Sequence, residues 1–243
     1  MKRILSRVGI GSARVDTVLP KTTLSAGESV DAEVRVEGGS AEQEVDAIYF
    51  ALLTRYETDD SVRTGVIDKF HVADPFTIGP DEERTFHVTI DVPLDTPITA
   101  GRTDVWLETG LDIDWSVDPD DRDPIQVEPG PKLGAFMDAL DSLGFRLRKA
   151  QCEQAPGSIF AGRFVQELEF VPHAGPFAGK LDELEVVATE TETGLDVKLE
   201  IDRRGGLLSE MADIDERWSQ LSFANEGARE METKLCSEIE RHA

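Results

Sequence analysis

The densest cluster of groups able to do chemistry is Asp112, Asp114, Asp118, Asp120, Asp121, Arg122 and Asp123. Alternating carboxylates supply the hard oxygen donors that Ca²⁺ takes in sets of about 6–8. Counted as an EF-hand from Asp118, the run puts Arg122 at a ligand position with no glycine after it, so that loop geometry is excluded. Three readings stay open: a solvated acidic loop, a Ca²⁺ or small-ligand site over Asp112–Asp123, and a polar network at a domain junction. In the last, Asp118, Asp121 and Asp123 surround Arg122, and breaking the network would loosen the two halves. His71, His87, His173 and His242 are scattered, with no HExxH and no pair at i, i+4, so no zinc-type ligand set is visible. No serine sits in a G-x-S-x-G elbow. Gly9-Ile10-Gly11 has no strand before it and no third glycine where a dinucleotide loop needs one. Gly175 to Lys180 has three residues between its glycines where a phosphate loop has four, and Leu181 replaces the magnesium-binding Ser or Thr. The chain is read as non-enzymatic, with no catalytic residue, no metal ligand set and no cofactor.

Charge says more about solvent and partners. The 243 residues carry 49 Asp+Glu against 25 Lys+Arg, a formal charge of −24, and the cations are 17 Arg to 8 Lys. Such a chain does not hold nucleic acid by phosphate neutralisation and does not settle on anionic lipid. An acidic, lysine-poor surface over 40% hydrophobic residues fits concentrated salt. There the Debye length falls from ~10 Å at 0.1 M to ~3 Å at 1 M and self-repulsion is screened. Against this trend, the chain up to Val15 has Lys2, Arg3, Arg7 and Arg14 and no acid. Arg3, Arg7 and Arg14 are the candidate partner-binding edge, suited to an acidic or phosphorylated peptide; a basic end paired with acidic neighbours in the fold is the other reading. The longest apolar run, Ala47 to Leu53, is too short to span a membrane, and no apolar stretch follows the basic start as in a signal peptide. Cys152 and Cys236 are isolated; in a chain read as cytoplasmic, free thiols are favoured over one long bridge. The expected partners are other proteins, and a homo-oligomer is left open.

The elements that must position these groups are mostly strands. Val30, Ala32, Val34 and Val36 alternate with Asp31, Glu33, Arg35 and Glu37; Phe86, Val88, Ile90 and Val92 repeat the pattern, as do Val105, Leu107, Leu111 and Ile113. Period two with one wet face marks antiparallel strands on a core. Val45 to Leu53 is apolar on both faces, as a central strand is. Turn residues at Ser25–Gly27, Gly38–Ser40, Gly79–Asp81 and Pro97–Gly101 separate these runs, which predicts a β-sandwich over residues 1–128.

Glu128-Pro129-Gly130-Pro131 marks the boundary, with a linker at 129–132. Leu133, Phe136, Met137, Leu140 and Leu143 share one helical face, with Pro131 near its start and Gly144 past its end. Strands return at Arg146–Cys152, Phe164–Val171, Asp182–Thr191 and Leu195–Arg203, the last two joined by Glu192-Thr193-Gly194. After Gly205-Gly206 the apolar spacing of Leu207, Leu208, Met211, Ile214, Trp218 and Leu221 predicts a helix. Residues 133–223 thus form a β-rich domain with helices. Residues 224–243 form an acidic helix or tail, whose stripe of Ala228, Met231, Leu235 and Ile239 either docks on the core or binds a partner.

Several segments together resemble the sporulation-control protein family of bacilli and many other microbes. They are Thr109–Trp115 followed by Asp118–Asp123, Val165–Pro172 with Gly175-Pro176-Phe177, Asp182–Val187, and Asp202-Arg203-Arg204. The likeness runs from about Ile4 to Trp218. It implies a mainly β, arrestin-like fold of two β-sandwich domains joined by a short hinge, with short helices in the second half. It also implies a cytoplasmic adaptor without catalytic activity, acting through protein contacts in the control of development, division or shape. Arrestins hold their resting state with a buried Arg–Asp network between domains, and Arg122 with Asp121 and Asp123 is the local candidate for one.

Overall fold

The computed structural model describes residues 13–113, 120–155, 163–203 and 218–242. The chain divides into two compact units, Met1–Thr54 with Val66–Pro93 and Asp104–Val127, and Arg55–Gly65 with Leu94–Thr103 and Glu128–Ala243. A single cut near Glu128 is therefore not the whole division. The second unit also draws two stretches from the first half, which their local pattern does not mark.

In the first unit β1 (Arg14–Val18), β3 (Ser29–Glu37) and β7 (Glu83–Asp91) form an antiparallel sheet in the order β1-β3-β7. In a second sheet β4 (Gln43–Glu57) pairs with β5 (Val62–Ala73), β6 (Phe76–Ile78) and β8 (Val105–Ile113). β8 in turn pairs with β9 (Asp120–Glu128), and β2 (Thr23–Ser25) lies beyond β9. Val30, Ala32, Val34 and Val36 from β3 share one core with Ile48, Phe50 and Leu52 from β4 and Leu107 and Leu111 from β8. Full burial of each large side chain stabilises the fold by about 1.5–3 kcal/mol. On the other face of β4, Ala51 and Leu53 pack with Trp106, which is why this strand reads as apolar on both sides. Asp120 to Asp123, for which a solvated loop was one reading, belong to β9; pairing with β8 overrides the poor strand propensity of aspartate.

In the second unit β10 (Phe145–Gln154), β11 (Phe164–Pro172), β12 (Leu181–Glu190), β13 (Leu195–Arg203) and β14 (Trp218–Phe223) are consecutive antiparallel neighbours. Helices α1 (Pro131–Ser142) and α2 (Ala228–His242) pack with Leu168, Phe170, Leu184, Val186, Val197 and Leu199 in one core. Gln166 fastens the 94–103 stretch: its side chain accepts from the Ile98 N–H at 2.9 Å and donates to the Ile98 carbonyl at 2.8 Å and the Thr103 hydroxyl at 2.9 Å.

One expectation changes here and two are met. Trp218 and Leu221, placed on a helix by their spacing, lie on β14, and the rest of that predicted helix, from 204 to 217, lies outside the described residues. Pairing with β13 decides the conformation, and Leu221 and Phe223 also fit a period of two. The terminal stripe docks on the core, with Met231, Leu235 and Ile239 buried, so it is not a free partner-binding tail. Cys152 and Cys236 are both free thiols.

Helix α1 starts at Gly130, which has no side chain to cap it. Glu190 of β12, only 5% exposed, does so instead: Oε1 accepts the Lys132 N–H at 3.0 Å and Oε2 the Leu133 N–H at 2.9 Å. A carboxylate at a helix N-terminus satisfies orphan donors and meets the positive end of the helix dipole. No helix among the described residues is long and apolar enough to cross a membrane.

Candidate functional site

Asp114 and Asp118 lie outside the described residues, and Asp112 and Asp120 to Asp123 sit within the first unit. Asp121 and Asp123 are on β9. Asp121 accepts the backbone N–H of Thr17 on β1 at 2.8 Å, and the Thr17 and Thr109 hydroxyls meet at 2.6 Å in the interior. Arg122 lies over the Trp106 ring, 3.8 Å from its centroid, so its flat guanidinium is used in stacking. Asp123 is pushed up to about 7, first by burial and then by the charges of Asp121 and Asp16. The structure thus gathers Asp121, Asp123 and Asp16 where β1 meets β9. Among the described residues, no group of three His, Cys, Asp or Glu side chains is placed to hold a metal ion.

Arg3 and Arg7 also lie outside the described residues. Arg14, at the start of β1, is exposed and pairs with Glu37 at 3.9 Å. The edge of β1 turned away from β3 is partly occupied: the Ala13 N–H donates to the Gln43 side chain at 2.7 Å, and the Thr17 N–H goes to Asp121. These side chains fill places that an added strand would need.

The opposite edge of that sheet differs. At one end of the β3–β7 ladder the Gly38 N–H donates to the Glu82 carbonyl at 2.8 Å. At the other, the Val92 N–H donates to the Glu28 carbonyl at 2.9 Å. Antiparallel bonding alternates, so Arg84, Phe86, Val88 and Ile90 turn their backbone groups to β3. Glu83, Thr85, His87, Thr89 and Asp91 turn theirs away, and among the described residues no strand pairs with them. The ladder runs without a bulge from Glu37 opposite Glu83 to Ser29 opposite Asp91, and no proline interrupts β7. Such devices are how proteins usually blunt an edge. A cleft of about 570 Å³ lies over the face of this sheet, lined by residues including Val18, Asp31, Glu33, Arg35, His87 and Thr89. The sequence shows the alternation of β7; it does not show that β7 ends its sheet, because that depends on which distant strands pair.

A second polar feature was missed. On the sheet face of the second unit away from the helices, Lys149, Glu169, Glu185 and Glu200 stand directly opposite one another across β10 to β13. Arg148 bridges Glu169 and Glu183. Glu185 is pushed up to about 7, first by burial and then by Glu167, Glu200, Glu183 and Asp202. Like charges opposite each other destabilise a sheet. Between about pH 4.5 and 7 the folded chain keeps a proton on Glu185 that the unfolded chain has lost, so stability falls as pH rises through that window. Glu185→Gln removes this loss: thermal melts should show about 1 kcal/mol of added stability near pH 8, allowing for screening of a half-exposed site. Near pH 4 the variant should match the parent, and a gain equal at both pH values would refute the assignment.

The structure also joins groups that the sequence keeps apart. The Ser219 hydroxyl lies 3.0 Å from His242 Nε2, and the buried Glu238 carboxylate lies 3.4 Å from the same nitrogen. A serine nucleophile relay needs the hydroxyl on one ring nitrogen and the acid on the other. With both on Nε2, the cluster ties the end of α2 to β14 and does not activate the serine.

Comparison with known proteins places these features in context. A family model described as SpoOM protein matches residues 1–205. The chain is 39% identical over 253 residues to the sporulation-control protein spo0M of Bacillus subtilis strain 168, covering 100% of this chain and 98% of that one. The crystal structure of that Bacillus subtilis protein superposes with a TM-score of 0.85 at 39% identity, covering 96% of this chain and 100% of the other. The fold is mainly β and arrestin-like.

Proposed function

The chain belongs to the SpoOM sporulation-control family, and from that premise we propose that it is a non-enzymatic, cytoplasmic regulator acting as an adaptor through protein contacts. The observation that carries this reading is the outer edge of β7, with which no described strand pairs, nine residues of strand with an outward row of backbone donors and acceptors. Extended segments of partners add to such edges, with main-chain bonds supplying affinity and alternate side chains supplying specificity. Asp121 supports the same role from the other side of the sheet, because its carboxylate accepts the Thr17 amide and occupies the outer edge of β1. Membership of a sporulation-control family supports developmental control as the process regulated; the acidic surface suits contacts made in concentrated salt.

Affinity capture from a native lysate kept at molar salt, followed by mass spectrometry, tests the adaptor reading. A reproducible set of proteins that co-purifies with the chain, and is absent with an unrelated acidic protein as bait, is the expected result. Recovery of the same set with both baits would sink it.

A further inference from the structure

Among the described strands of the first unit, β7 offers nine residues of regular, unpaired edge, whereas β2 at the end of the other sheet has only three residues. Its chemistry narrows what can pair with it. On the wet face, exposed Glu83 and Asp91 stand at the two ends, with Thr85, His87 and Thr89 between them. On the core-facing side Phe86 and Val88 are only partly buried, although they pack against the core. A strand laid beside β7 would cover that remaining apolar surface at alternate positions. A second copy of β7, antiparallel and centred on His87, would put Glu83 opposite Asp91 at both ends, and like charges so placed destabilise a pair.

We infer that the β7 edge receives an extended segment of a partner protein, about nine residues long, with apolar residues at alternate positions and a basic residue near each end. The inference rests on the adaptor reading and names its site and the kind of segment taken. The segment runs antiparallel to β7, its backbone bonded to Glu83, Thr85, His87, Thr89 and Asp91. Its apolar side chains cover Phe86 and Val88, and its terminal cations meet Glu83 and Asp91. Main-chain bonding makes the affinity insensitive to most side chains of β7 but sensitive to loss of an outward N–H.

The test uses the full chain and a synthetic peptide, Lys-Val-Thr-Val-Thr-Val-Thr-Val-Lys, whose valines fall on the side of Phe86 and Val88 when its lysines stand opposite Asp91 and Glu83, with a control bearing Glu at both ends. The lysine peptide should bind at micromolar to millimolar concentration and the glutamate peptide about tenfold more weakly in moderate salt. His87→Pro removes an outward N–H without touching the bonds to β3, a position where an edge strand tolerates proline. It should weaken the lysine peptide at least tenfold, while His87→Ala, which keeps the N–H, should not. Glu83→Lys with Asp91→Lys, both exposed, the second also releasing the Ser29 hydroxyl, should abolish the preference between the two peptides in a variant whose circular dichroism matches the parent. No binding of the lysine peptide at 1 mM, equal binding to the proline variant in its folded state, or equal binding of both peptides to the parent would each overturn the inference. So would a peptide that binds only by dissociating a dimer of the chain, since the occupant is then a second copy. If native capture retains its partners with the proline variant, the β7 assignment fails while the adaptor reading survives. If the peptide binds as expected and capture retrieves nothing specific, the adaptor reading fails instead.

Discussion

Replacing Glu190 by alanine is expected to lower the stability of the chain by about 3 kcal/mol, the sum of two buried charge-assisted hydrogen bonds at roughly 1.5 kcal/mol each. The carboxylate is only 5% exposed and reaches the Lys132 and Leu133 amides of α1 at 3.0 and 2.9 Å. No side chain at Gly130 can take its place. The Lys132 ammonium does not share this task; it donates to the Thr191 and Glu192 carbonyls. Glu190→Gln keeps one acceptor and turns an amide N–H toward a backbone N–H, so roughly half of the loss is expected. Denaturant unfolding with an unchanged m-value reads the energy, and faster hydrogen exchange at Lys132 and Leu133 locates it. A loss under about 0.5 kcal/mol would mean that water caps the helix equally well. Gly130→Ala tests the same contact from the other side, since a Cβ there would lie 2.6 Å from Glu190 Oε2. The two substitutions should be strongly non-additive, because the second has little left to break.

The second large effect is expected at Gly144. The residue has φ +87, and a Cβ on it would stand 2.3 Å from the Ala174 carbonyl oxygen. Its N–H donates to Asp141 and its own carbonyl accepts from His173 at 3.0 Å, so the backbone cannot rotate away without losing the link between α1 and the end of β11. Left-handed backbone costs an L-residue about 1–2 kcal/mol, and relieving the clash adds about 1–3 kcal/mol, so Gly144→Ala should destabilise by roughly 3 kcal/mol. Thermal and denaturant unfolding check it. Gly134→Ala is the control, because the nearest atom to a Cβ there is 3.9 Å away and alanine favours a helix.

How much of this was legible depended on whether the deciding interaction was local. Pro131 and Gly144 bracket α1 in the sequence as they do in the structure, because a first-turn proline and a left-handed glycine are requirements of the chain itself. The alternation of β3, β7, β8 and β13 was equally clear, since it records which face of each strand is wet. β14 was read as helix because the step from Trp218 to Leu221 fits a helical period while Leu221 and Phe223 fit a strand, and only pairing with β13 separates the two. For the same reason the aspartates of β9 gave no sign that Asp121 would reach across to Thr17 while Arg122 turned to Trp106. The two most informative glutamates, Glu185 and Glu190, look in the sequence like any wet-face residue of an acidic chain. Their burial follows from neighbours that are remote along the chain.

That remoteness has a kinetic side. Synthesis delivers α1 to the ribosome exit before the carboxylate that completes its first turn, which lies 58 residues further on from Lys132. At about 5–20 residues per second, the helix waits some 3–12 s for its cap. Over that interval an isolated 12-residue helix is marginal in water. The second unit therefore cannot complete its core progressively from α1 onward; closure awaits the emergence of β12, and a nascent chain stalled before Glu190 presents Leu133, Phe136 and Leu140 to whatever chaperone is at hand.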